Sequence, residues 1–157
     1  MKKVLFLAVL VASVVLAGCA PHAPLAPKED DQLAKQYVTL PGAGAIYVFR
    51  KKQYTDRTYL LPVALNQRLI GHISEYEYLR LDVAPGRHVV SVNGLSNLKS
   101  VELNIEAGSI EFVEFLIDGD YRVYRTVDEQ TGKNAIKKRD MARKHISGIF
   151  PALSDDD

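Results

Sequence analysis

Cysteine is almost absent from this 157-residue chain: Cys19 stands alone, so no disulfide can close within it. Charge of one sign is missing too. Lys and Arg total 20 against 19 Asp and Glu, a formal net charge of +1, which removes any global electrostatic argument for nucleic acid. No G-x-S-x-G, G-x-x-x-x-G-K-[ST], G-x-G-x-x-G after a strand, or H-E-x-x-H occurs, so no motif points to a hydrolase elbow, a phosphate loop, a dinucleotide cofactor or a zinc protease. The longest apolar run falls short of the roughly 20 residues a membrane-spanning helix needs. What remains has the profile of one ordinary globular domain, with 47% hydrophobic and 25% charged residues.

That average conceals an unlike front end. Lys2 and Lys3 precede an apolar run from Val4 to Val15, broken only by Ser13, and the small residues Ala17 and Gly18 stand just before Cys19. The pattern is that of a secretory signal over residues 1–18. Without it, 139 residues carry a formal charge of −1, enough chain to bury about two-thirds of its unfolded surface. Leu16-Ala17-Gly18-Cys19 resembles the lipobox of bacterial lipoproteins, which implies cleavage before Cys19 and its acylation with palmitate-type chains. A lone cysteine at this position suits lipid attachment, whereas an exported protein normally pairs its cysteines. Ala20 stands where an aspartate would imply inner-membrane retention, so the resemblance implies the outer membrane, facing the periplasm, in a Gram-negative source.

Residues 19–43 hold Pro21, Pro24, Pro27 and Pro41 and show little lasting periodicity, which predicts a tether with at most a short helix over Asp30–Val38. About two dozen such residues reach ~80 Å extended but only ~27 Å as a coil, keeping the domain near its membrane. Residues 44–128 alternate short β-rich runs with turn signals every 8–12 residues, the pattern of a small antiparallel β-sandwich of about seven or eight strands, transthyretin- or Ig-like. Ile46–Phe49, apolar on both faces, predicts a central strand. Pro62 predicts an edge or bulge, and Pro85-Gly86 a turn with positive φ at the glycine. The parity switch between Ile110/Phe112 and Phe115/Ile117 implies a bulge or two covered faces. Asn93-Gly94 and Asp118-Gly119 mark further hairpins. Residues 129–157 turn basic, and Ala135, Ala142, Ile146 and Ile149 form one helical stripe, predicting a C-terminal amphipathic helix over Asn134–Ser147 ahead of an acidic tail.

Ala45-Ile46-Tyr47-Val48-Phe49-Arg50, Leu69-Ile70-Gly71, Leu81-Asp82-Val83-Ala84-Pro85-Gly86-Arg87-His88 and Leu103-Asn104-Ile105-Glu106-Ala107-Gly108 follow one another in an order similar to a family of small bacterial lipoproteins built on a domain of unknown function. The resemblance implies a transthyretin-like β-sandwich and brings no catalytic residues. Asn66-Gln67-Arg68 departs from the Asp/Asn-Gly turn usual at that hairpin.

Candidate chemistry is sparse. His72 and His88 could meet across neighbouring strands, but no metal spacing accompanies them, and His88 beside Pro85-Gly86 suits a hydrogen bond within its own turn. Asp118 and Asp120 flank Gly119 with too few ligands for calcium. Tyr76, Tyr78 and Arg80 share the outer parity of their strand, either as a contact surface or as a face covered by the C-terminal helix or the tether. The basic face of that helix suits anionic lipid or an envelope polymer, or is simply solvated. These features favour a membrane-anchored, non-catalytic envelope module with a protein partner. A glycan or cell-wall polymer is the alternative partner, and an enzyme with a site outside known motifs the remaining one. Neither cofactor nor metal is implied.

Overall fold

A computed structural model describes residues 23–52, 59–93, 98–118 and 121–154. The predicted signal segment, Cys19, Gly94, Gly119, Asp120 and residues 155–157 lie outside the described residues. Within them are nine strands: β1 (Gly44–Arg50), β2 (Leu61–Leu65), β3 (Arg68–Ile73), β4 (Glu77–Val83), β5 (Gly86–Asn93), β6 (Leu98–Ile105), β7 (Ile110–Asp118), β8 (Tyr121–Val127) and β9 (Asp140–Met141). Two helices join them, α1 (Lys28–Ala34) and α2 (Glu129–Lys137).

The strands form two sheets, ordered β8-β7-β1-β4-β9 and β3-β2-β5-β6, as the predicted β-sandwich requires. Most pairings are antiparallel. Two are not: β1 runs parallel to β7, and β4 parallel to β9. Parallel pairing at the centre of a sheet goes with burial on both sides, and every residue of β1 is buried. Between the sheets lies the main core, with Ile46, Val48, Leu79, Leu81, Val113 and Phe115 facing Leu61, Val63, Ile70, Val90, Val92 and Leu103. On the other face of the five-stranded sheet a second core gathers Tyr47, Phe49, Tyr78 and Phe112 under Ala34 and Ile136 of the two helices. The architecture therefore has three layers: helices, sheet and sheet. The parity switch in β7 follows from those two covered faces, since Phe112 serves the outer core and Val113 and Phe115 the inner one, with an unbroken register to both neighbours.

Turn chemistry is local and specific. Pro62 pairs only with β3, because β5 takes up β2 from Val63 onward, and the β2–β3 register shifts between Val63 and Ala64. Gly86 adopts the expected positive φ of 128°. Asn66 and Gln67 close the two-residue β2–β3 loop with φ of 49° and 65°, both left-handed.

Two helical expectations change. The C-terminal helix spans Glu129–Lys137 rather than Asn134–Ser147; it starts at Asp128, whose carboxylate accepts from the Thr131 backbone N–H (2.9 Å). Beyond Lys138 the chain is extended, because Ala142 N–H donates to the Tyr78 carbonyl (2.8 Å) and Ala26 N–H to the Met141 carbonyl (2.8 Å). Strand pairing with β4 thus overrides the helical spacing of Ala142, Ile146 and Ile149. The second change concerns the tether: from Ala23 onward it is packed on the sandwich, with Ala23 in the main core and Ala34 in the outer one.

Gly132 of α2 lies so close to the sheet that a Cβ there would sit 2.2 Å from Cγ of Phe112. Alanine at this position gains about 1 kcal/mol of helix propensity, but overpacking against a fixed core ring costs about 1–3 kcal/mol. Since 2.2 Å is far inside van der Waals contact, overlap prevails, and Gly132→Ala is expected to lower the urea midpoint. The β2–β3 loop gives the opposite sign. Gln67→Gly, which removes a left-handed penalty of about 1 kcal/mol from an exposed side chain, should raise the midpoint, and an unchanged or lower one would contradict the turn assignment.

Candidate functional site

Tyr76, Tyr78 and Arg80 do not form an open face. Tyr78 is fully buried and its Oη donates to Asp31 Oδ1 (2.8 Å), while Arg80, 9% exposed, donates from Nε and Nη2 to Asp82 Oδ1 (3.0 and 2.8 Å) and from Nη2 to the Val38 carbonyl (2.8 Å). Only Tyr76, in the turn before β4, stays exposed, with Lys52 Nζ 5.6 Å from its ring centroid. The outer parity of Tyr78 and Arg80 is as expected, but α1 and the residues after it cover that face, as one of the two expected arrangements had it. Burial and the Asp31 carboxylate push the Tyr78 hydroxyl far up from its ordinary range, and burial pushes that of Tyr47 up to about 12, so both phenols are neutral donors. Tyr47 Oη uses its proton on the Ala34 carbonyl (2.5 Å).

The histidines serve the fold as well. His72 and His88 sit on β3 and β5, which β2 separates, so they do not meet. His88 is fully buried: Nε2 lies 2.8 Å from the Ala84 carbonyl and Nδ1 3.1 Å from the Asn66 side-chain amide. A carbonyl only accepts and an amide nitrogen only donates, so Nε2 carries the proton and His88 closes its own turn. Asn66 also accepts from Val89 N–H (2.8 Å) and donates to the Pro151 carbonyl (3.1 Å), tying the hairpin to the C-terminal segment. His72 instead meets His145, ring centroids 5.8 Å apart. Among the described residues, no three His, Cys, Asp or Glu side chains gather as a metal site, and no helix is long and apolar enough to cross a membrane.

Charge is buried at the far end of the outer core. Glu75 and Glu114 are buried, and Arg139 donates from Nη2 to the Arg50 carbonyl (2.7 Å) and from Nη1 to the Ala135 carbonyl (2.6 Å), its guanidinium 5.2 Å from the Phe49 centroid. Burial lowers the affinity of Arg139 for its proton, and Glu114 and Glu75 oppose that shift. The cluster fastens the end of α2 to the end of β1. Nothing in the spacing of these residues along the chain signals it.

A cationic groove between α1 and α2 remains open. It encloses about 330 Å³ and is lined by Lys35, Tyr37, Lys133, Asn134 and Lys137. Its floor is the Tyr37 ring, backed by Tyr47 and Phe112 at 5.4 and 6.1 Å between centroids, with Lys133 Nζ 4.9 Å above it. Tyr37 holds a left-handed φ of 57°, a backbone state that a bulky residue keeps only when its surroundings enforce it. Lys35 Nζ is committed to Asp31 Oδ2 (2.7 Å) and the Arg139 carbonyl (2.6 Å), and Lys133 pairs with Glu129 one turn back. Ammonium groups around an aromatic floor suit a carboxylate, phosphate or sulfate group. Lys133 and Lys137 belong to the basic stretch read within residues 129–157; Lys35 and Tyr37 carry no such signal, because they arrive from about a hundred residues earlier in the chain.

A family model described as "Protein of unknown function (DUF2846)" matches residues 41–129. No curated protein and no solved structure matches the chain.

Burial and, secondarily, His145 lower the pKa of His72. A histidine whose native pKa lies below its unfolded value, near 6.5, is protonated more readily in the unfolded chain, so its contribution is complete above that pH and is lost as pH falls through it. The urea midpoint of the wild type should therefore drop more steeply between pH 7.5 and 5.5 than that of His72→Gln; parallel pH profiles would contradict this.

Proposed function

We propose, for a chain that belongs to the DUF2846 family of proteins of unknown function, that it is a lipid-anchored, non-catalytic binding module of the cell envelope. Lys2, Lys3, the apolar run and Leu16-Ala17-Gly18-Cys19 support the anchor, with Ala20 favouring the outer membrane's periplasmic leaflet. The observation that carries the binding role is the open groove of Lys35, Tyr37, Lys133, Asn134 and Lys137, set against the burial of Tyr78 and Arg80. The occupant is an acidic segment of an envelope protein, whose carboxylates meet the lysines. The same lysines also suit a second reading, in which a carboxylated or phosphorylated glycan polymer sets its anionic groups in the groove.

Crosslinking in native envelopes tests both. Lys133→Glu combined with Lys137→Glu reverses charge on the α2 surface and should abolish either a specific crosslinked protein or retention on purified envelope polymer, with the fold retained and only a small drop in melting temperature from the lost Glu129 pair. Wild-type behaviour in both assays would refute the groove as the binding site. Cys19→Ser should release the protein from membranes, and persistent membrane retention would refute the anchor.

A further inference from the structure

We propose that the β9 edge of the sandwich, around Pro24, Leu25 and Arg143, rests directly on the surface of the phospholipid bilayer that holds the lipid on Cys19. The inference depends on the lipidation reading and adds to it where the domain sits. Ala23 is 3% exposed and belongs to the main core, so the leash between the acylated cysteine and the folded body is only residues 19–22. Four residues reach at most ~14 Å even when fully extended. Part of that length is used within the headgroup layer, which occupies roughly 5–8 Å on each side of the hydrocarbon core. The point where the chain enters the domain therefore cannot move more than about 9 Å clear of the headgroups.

The composition of that edge fits its location. Leu25 is 44% exposed although Ala26 N–H donates to the Met141 carbonyl beside it, and Leu25 bridges to Ala142. Arg143, exposed, donates its N–H to the Pro24 carbonyl (2.7 Å), and His145 N–H donates to the Ile70 carbonyl (2.7 Å), which brings β3 and its exposed Leu69 alongside the same segment. Leu25 and Leu69 are thus exposed on the two segments hydrogen-bonded to residues 142–145, where Arg143 is also exposed, with Lys28 and Arg68 exposed nearby in the chain. Apolar side chains among cations are the composition of a surface that lies in a headgroup region, leucine toward the acyl boundary and cations on phosphate oxygens. Glu29 and Asp30 open α1 next to Lys28, while Asp31 is turned inward onto Tyr78 and Met141. At the opposite edge of the same sheet, four strand spacings or about 19 Å from β9, Thr126 of β8 is exposed and should face away from the bilayer.

The test uses the full-length lipidated protein reconstituted into vesicles of phosphatidylethanolamine and phosphatidylglycerol. With Cys19 acylated, Arg143→Cys and Thr126→Cys each offer one thiol for a nitroxide label, and collision with a water-soluble nickel chelate measures exposure. Accessibility at position 143 should be several-fold lower than at 126 on vesicles, and the difference should vanish in the Cys19→Ser protein free of membrane. Equal accessibility on protein that sediments with the vesicles and carries acyl chains by mass spectrometry would overturn the orientation while leaving the anchor intact. An unacylated Cys19 would instead overturn the lipidation reading and this inference with it.

Discussion

The carboxylate of Asp31 is where the helix layer is fastened to the sheet. Its Oδ1 accepts from Tyr78 Oη on β4 and from the Met141 N–H on β9 (3.1 Å), and its Oδ2 accepts from Lys35, which in turn donates to the Arg139 carbonyl after α2. One side chain therefore links both helices and two strands that are more than forty residues apart in sequence. Hydrogen bonds to a charged group are worth about 1.5–3 kcal/mol, and leaving the Tyr78 hydroxyl buried without its acceptor would cost about 1–3 kcal/mol more. Because Tyr78 stacks on Tyr47, and Tyr47 on Phe112, a loss at Asp31 propagates across the whole outer core.

That fastening means that the region matched by the family model does not hold the whole core of this chain. Residues 41–129 contain β1 to β8, hence both sheets and the inner core, yet Tyr47, Phe49, Tyr78 and Phe112 would stand in water without Ala34, Tyr37 and Ile136 from the flanks. Burying aromatics of that size is worth about 2–3 kcal/mol each, so residues 23–40 and 130–142 are part of the domain's stability rather than decoration on it. The C-terminal segment seals the other side: Phe150 joins the inner core, and its backbone exchanges hydrogen bonds with Asp82 and Ala84.

Most of the sandwich was legible because alternation along a strand is set by one covered face, as in Val101, Leu103 and Ile105 against Glu102 and Asn104, and by turn residues that act locally. Asn66-Gln67 shows the limit of local reading: it forms the hairpin although it lacks the usual glycine, because Asn66 is held by Val89, His88 and Pro151 from elsewhere. The helix over 134–147 was misplaced for a physical reason. Ala142, Ile146 and Ile149 have helical spacing by coincidence, and backbone pairing with β4 and with residues 24–26 decides against it. Proline spacing in residues 19–43 suggested a free tether, but Asp31 and Lys35, which nothing in that spacing singles out, carry the contacts that bind it down. The groove escaped for the same reason, since half of its lining comes from that segment.

The position of the groove within the layers bears on what can reach it. The helix layer covers one face of the five-stranded sheet, and β9 is an edge of that sheet, so the groove and the edge point in roughly perpendicular directions. In the proposed orientation, with the edge on a bilayer, the sheets would stand upright on it and the groove would open sideways, parallel to the membrane surface. The proposed attachment through Cys19 would permit little tumbling, in contrast to the ~27 Å coil that a free tether would have supplied. An acidic partner of the proposed kind would then meet a pre-oriented site, with part of the orientational restriction that slows docking removed before encounter. A freely tethered domain with the same lysines would have to lose that freedom on binding.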